Sequence, residues 1–151
     1  TKNENSVVIF PRSKGHRSTP NNGVPWDWDE IANTVSRYFE KVYVVGHPAF
    51  SAPIQSYDNV EAVITDDNSK ILEKCCNSRL IITQHSGTCY LGEYTTTQTL
   101  LIFHGKFPIL GINDSIIFKE FIGTKFPFVF AFSLQEIEEY VKNFCSFRQK
   151  L

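Results

Sequence analysis

Gln84, His85, Ser86, Gly87 and Thr88 stand in a row directly after the apolar run Leu80, Ile81, Ile82 and the polar Thr83. Their types suit one kind of chemistry. A glycine lets the backbone come close to a ligand, two hydroxyls donate to oxygen acceptors, and a histidine adds a donor that can carry charge. If a helix starts just beyond, its first free amides and its dipole also favour an anion, so the stretch 79–93 reads as a strand running into an anion-binding turn. The plainer alternative is a capped strand-to-helix turn with one satisfied histidine, because a short glycine motif alone says little.

Arg12, Lys14 and Arg17 form a second group, in a loop over 12–25 rich in Ser, Thr, Asn, Gly and Pro. A loop this long in a compact domain is commonly functional or mobile. It follows the β-rich run from Ser6 to Phe10 that Pro11 closes, so in a parallel sheet it shares a rim with the His85 turn. There, positive side chains can grip a diphosphate bidentately. A solvated basic loop is the competing reading.

Three weaker candidates remain. Gly46, His47 and Pro48 follow another strand-like run, and Glu93 stands where a carboxylate can accept from ribose hydroxyls, as acidic residues do in dinucleotide folds. Asp66 and Asp67 could chelate a metal, but capping a helix accounts for them better. His104 reads as a loop residue. Ser86 beside His85 is no catalytic triad, since G-x-S-x-G is absent and neighbouring side chains seldom face each other. Neither a Walker A loop nor G-x-G-x-x-G occurs, which removes support for P-loop hydrolysis and for the usual dinucleotide fingerprint.

The elements that must hold these groups alternate. Strands are expected over 6–10, 41–46, 59–64, 80–82, 99–103 and 127–132, with a short extended run over 107–111. From Trp26 onward Trp28, Ile31, Ala32, Val35 and Phe39 recur at helical spacing, with Asp27, Asp29 and Glu30 in the first turn where the dipole favours acids. A second helix is expected from the capping residues 66–69 through Ile71, Leu72 and Cys75. A closing helix over 133–147 carries Leu134, Ile137, Tyr140, Val141 and Phe144 on one face, with Ser133 and Glu136 as a capping box. The segment 114–123 is ambiguous between a short helix and a packed loop. Such an order predicts a three-layer, Rossmann-like α/β domain with a mostly parallel central sheet.

The bulk properties set bounds. The 151 residues, 42% of them hydrophobic, suit one globular domain. Fifteen basic against sixteen acidic residues leave a formal charge of −1, so no global field points to nucleic acid and any anion site must be local. Cys75, Cys76, Cys89 and Cys145 show neither metal-ligand spacing nor scaffold density and read as reduced, mostly buried thiols. That implies a reducing, cytoplasmic setting. No apolar run is long enough to span a membrane, and the polar start TKNENS is not a signal peptide. The absence of Met predicts an excised domain or processed piece.

The basic loop from Pro11, Arg12 and Lys14 to Arg17, paired with the run Ile81, Ile82, Thr83, Gln84, His85, Ser86, Gly87, Thr88, resembles the C-terminal, donor-binding lobe of GT-B fold glycosyltransferases. The likeness spans nearly the whole chain. It implies a nucleotide-diphosphate sugar as donor, its diphosphate on His85, Ser86, Gly87 and Thr88 with help from Arg12 or Lys14 and the neighbouring Arg17. The base would lie near His47 and the ribose near Glu93. The leaving diphosphate would be stabilised electrostatically, with no cofactor and no bound metal.

It also implies that residues 1–151 are one nucleotide-sugar-binding lobe of a two-lobe enzyme, hexosyl- or deoxyhexosyl-transferring. The lobe that binds the acceptor and holds the catalytic base would be a partner outside this chain, which alone would bind donor but turn over poorly. An epimerase-like lobe acting on nucleotide sugars, or a non-catalytic nucleotide-binding or interaction module, are the alternatives.

Overall fold

A run of Val, Val, Ile and Phe without polar alternation belongs in the middle of a parallel sheet, covered on both faces. In the computed structural model, which describes residues 4–11, 26–48, 58–84, 87–102 and 129–150, that run is strand β1 (Ser6–Phe10), buried throughout. On one side it pairs in parallel with β2 (Lys41–Gly46), Val8 opposite Tyr43, and β2 pairs with β3 (Val60–Ile64). On the other side it pairs with β4 (Leu80–Thr83), Phe10 opposite Thr83, followed by β5 (Gln98–Ile102) and β6 (Val129–Ala131).

Among the described residues the six strands form one all-parallel sheet in the order β3-β2-β1-β4-β5-β6. This is the expected three-layer Rossmann-like arrangement. The chain winds outward from β1 to one edge, returns, and winds to the other, so its direction reverses between β1 and β4. In open α/β sheets ligands bind in the crevice outside the carboxyl ends of strands at such a reversal.

One face of the sheet is thickly covered. Helix α1 (Trp28–Val35) starts at Asp27, whose Oδ1 accepts from the Glu30 amide at 3.0 Å. It buries Ile31, Ala32 and Val35 on Val7, Ile9, Val42 and Val44. Helix α4 (Leu134–Lys150) adds Ile137 and Val141, both fully buried, and each such side chain stabilises the fold by about 1.5 to 3 kcal/mol. The segment just after α1 meets α4 through Phe39 and Phe144, ring centres 6.4 Å apart, and through the Tyr38 hydroxyl, which donates to Glu138 at 2.8 Å.

The opposite face is thinner. Helix α2 (Asn68–Asn77) buries Cys75 alone, and α3 (Leu91–Thr95) is a single five-residue stretch after a 3-10 turn over Gly87–Tyr90. Under them lie Val8, Phe10, Tyr43, Val45 and Ile81, the alternate residues of the same strands. Helix α3 packs hard on β5: a Cβ on Gly92 would stand 2.0 Å from Thr99 Oγ1 and 2.6 Å from the Thr97 carbonyl oxygen.

Most expected strands differ from the observed ones by a residue or two at an end. Of the expected strand 127–132, Val129–Ala131 is strand and Phe132 is not, while 127 and 128 lie outside the described residues; the three-turn helix expected from Trp26 is an eight-residue α1 followed by a turn to Tyr38. The runs 107–111 and 114–123 lie outside the described residues. Cys75 and Cys145 are buried as expected, but Cys76 is exposed, because it falls on the side of α2 turned away from the sheet core; the Cys89 side chain is outside the described residues. Among the described residues no helix is long and apolar enough to cross a membrane.

Candidate functional site

The thin face leaves space at the carboxyl rim. Because α2 and α3 send few large side chains towards the ends of β1 and β2, a cavity of about 830 Å³ opens between them, within the usual range of about 300 to 1,000 Å³ for small-molecule sites. Phe10 and Val45 floor it, Ile71, Leu72 and Cys76 of α2 form one wall, and Leu91 and Tyr94 of α3 form the other. Polar groups ring the mouth: His47 after β2, Thr65, Asp66 and Asn68 between β3 and α2, and Thr88 after β4. Apolar walls with a few polar groups at the rim suit a flat, partly apolar ligand with a charged end.

The turn after β4 is tied to its strand. Thr83, fully buried at the last position of β4, has its hydroxyl 2.5 Å from that of Thr88, and it also donates to the Gln84 carbonyl at 3.1 Å. A hydroxyl holds one proton. While Thr83 donates to Gln84, Thr88 is the donor in the bond between the two hydroxyls.

No protein-family model matches the chain, and no curated protein is similar to it in sequence. The site therefore stands on its own geometry.

Of the residues singled out in the sequence, His47 and Thr88 both line the cavity, though they come from strands separated by β1. Gly87 opens the 3-10 turn that leads to it. Glu93 is exposed on α3 and is not among the described lining residues. Arg12, Lys14, Arg17, His85, Ser86 and His104 lie outside the described residues. Asp67 is the helix cap, as expected: its Oδ1 accepts from the Ser69 amide at 2.9 Å, while its own amide donates to Thr65 Oγ1 at 3.0 Å. Asp66, beside it, lines the cavity. Among the described residues no group of His, Cys, Asp and Glu is placed to hold a metal ion.

Sequence reasoning missed the walls. Leu72 is 37% exposed and Tyr94 83% exposed, large for apolar side chains on short helices. The available signal was adjacency: Ile71 and Leu72 together, with Cys76 beyond, make an apolar stripe wider than α2 needs to sit on the sheet. Three groups with raised pKa values lie elsewhere, Tyr38 among them, pushed up first by its hydrogen bond to Glu138. Burial, then its bond to Glu4, pushes Tyr43 up to about 12, and burial pushes the Cys145 thiol up to about 11.

Proposed function

We propose that the chain is a nucleotide-sugar-binding lobe of a glycosyltransferase. One observation carries this reading: a cavity of ligand size, with apolar walls and a polar rim, opens at the carboxyl ends of β1 and β2 beside the reversal between β1 and β4. The base lies between α2 and α3, near His47. The diphosphate lies towards Gly87 and Thr88, and the sequence adds His85, Ser86 and the basic residues Arg12, Lys14 and Arg17 as its expected partners. The resemblance of those two loops to the donor lobe of GT-B enzymes supplies the sugar-transfer half of the proposal.

In that role the lobe stabilises charge. As the glycosidic bond to the donor breaks, negative charge grows on the leaving diphosphate, and fixed hydroxyl and amide donors with nearby cations stabilise it more than they stabilise the intact donor. A second lobe would bring the acceptor and the base that deprotonates it.

Isothermal titration with a panel of nucleoside diphosphates and their sugar conjugates tests the reading. Saturable binding of at least one diphosphate is expected, and no saturable binding by any would remove it. Replacing Arg12 and Lys14 together by Ala should then weaken binding by a few kcal/mol, since each charge-assisted hydrogen bond contributes about 1.5 to 3 kcal/mol. Gly87→Val is the companion variant: it should block backbone approach to the phosphate, and undiminished affinity would move the diphosphate off this turn.

A further inference from the structure

The cavity is chemically unequal along its length. Its far end, beyond β3, carries Asp66 and Asn68, and the capping Asp67 stands next to them. Its near end, beyond β4, carries Thr88 and no carboxylate among the described lining residues. The two ends are three strand spacings apart, about 14 Å at the usual separation of neighbouring strands, which suits an extended nucleoside diphosphate. Carboxylates at the far end repel phosphate, so the phosphates belong at the Thr88 end and the base at the Asp66 end.

No hydrogen bond or ion pair engages the side chain of Asp66 or Asn68 among the described residues. Both line the cavity, and the capping of α2 falls to Asp67, so neither is needed to hold the helix. A carboxylate only accepts hydrogen bonds, and it does so best from two adjacent donors. Among the common bases only guanine presents that pair, at N1 and N2, with the acceptor O6 beside it for an amide such as that of Asn68. Adenine sets the ring acceptor N1 beside its amino group. Cytosine sets N3 beside its own, and uracil flanks its single N3 donor with two carbonyls. Each of those puts an acceptor against the carboxylate.

We propose that the cavity takes a guanine ring between the walls formed by Leu72 and Tyr94, with its hydrogen-bonding edge on Asp66 and Asn68, so that the nucleotide bound is a guanosine diphosphate or its sugar conjugate. This rests on the nucleotide-binding reading above and adds the identity of the base.

Titration with GDP, ADP, UDP and CDP, on the unaltered chain and on Asp66→Asn, decides it. GDP should bind at least about tenfold more tightly than each of the others, in keeping with the discrimination of a bidentate contact to a base. Asp66→Asn should abolish most of that preference while weakening none of the other diphosphates, and because Asp66 is exposed the variant should unfold at the same urea concentration. A different diphosphate binding as tightly as GDP, or a GDP preference that survives Asp66→Asn, overturns the guanine assignment and leaves the nucleotide site standing. Failure of all four to bind overturns both.

Discussion

The hydroxyls of Thr83 and Thr88 lie 2.5 Å apart, joining the last residue of β4 to the turn that follows it. Since Thr83 sits opposite Phe10 in the register, this bond fixes the turn at the point where the sheet order reverses. The two residues should therefore separate on substitution. Thr83→Val should lower the unfolding free energy in urea by about 0.5 to 1.5 kcal/mol, the usual net value of a hydrogen bond, with a smaller effect on diphosphate affinity. Thr88→Val breaks the same bond and should cost similar stability, but it should also weaken affinity by about 1.5 to 3 kcal/mol through loss of a donor to a charged phosphate. Equal effects of both variants on affinity would show that Thr88 acts only through Thr83.

Gly92→Ala should destabilise the protein by about 1 to 3 kcal/mol, the usual cost of overpacking. The added Cβ would meet both Thr99 Oγ1 and the Thr97 carbonyl oxygen. Adding Thr99→Ala removes only the first obstruction, so urea unfolding of the double variant should recover part of the loss. Full recovery would mean that the backbone can shift and that α3 is held less tightly than its geometry indicates.

Cys76 should be the fastest-labelled of Cys75, Cys76 and Cys145 with a thiol alkylating reagent, read peptide by peptide by mass spectrometry. It is exposed, whereas Cys75 and Cys145 are buried and burial holds the Cys145 thiol up at about 11, leaving little thiolate at neutral pH. Because Cys76 lines the cavity, a bound nucleoside diphosphate should slow its labelling. Unchanged labelling at saturating ligand would put the ligand elsewhere.

Tyr43 predicts a pH dependence at the opposite end of the sheet. Its hydroxyl donates to both Glu4 carboxylate oxygens, at 3.0 and 2.9 Å, and its ring lies 4.2 Å under Lys74 Nζ. Burial and Glu4 raise its pKa in the folded state from 10.0 to about 12, so the folded state keeps a proton that the unfolded state loses. The stability it contributes is present below pH 10.0 and is lost as pH rises towards about 12. Urea unfolding across that range should show a shallower decline for Tyr43→Phe than for the unaltered chain, and parallel declines would contradict the assignment.

The frame of this fold is legible in its sequence where local and global signals agree. The bounds of β1 and β2 are read correctly because Pro11 ends one apolar run and Gly46 the other, and both strands are apolar at every central position. Ser133 announces α4, and the Glu136 amide does donate to its hydroxyl at 3.1 Å. Thr83 shows where such reading fails: its polar side chain suggests a turn, yet the residue is the buried end of β4, its hydroxyl satisfied by Gln84 and Thr88. The cavity is illegible for a related reason. Leu72, Tyr94 and Phe10 come from three separate elements, and an apolar residue facing an unfilled space has the same local pattern as one facing the core.

The most direct measurement is the amide spectrum of the isotope-labelled chain during titration with GDP. A nucleotide site between α2 and α3 predicts saturable shifts concentrated at Gly46, His47, Asp66, Thr88 and Leu91, with Ile137 and Val141 of α4 unmoved. Saturable shifts concentrated on the α1 and α4 face, or none at any attainable concentration, would contradict it.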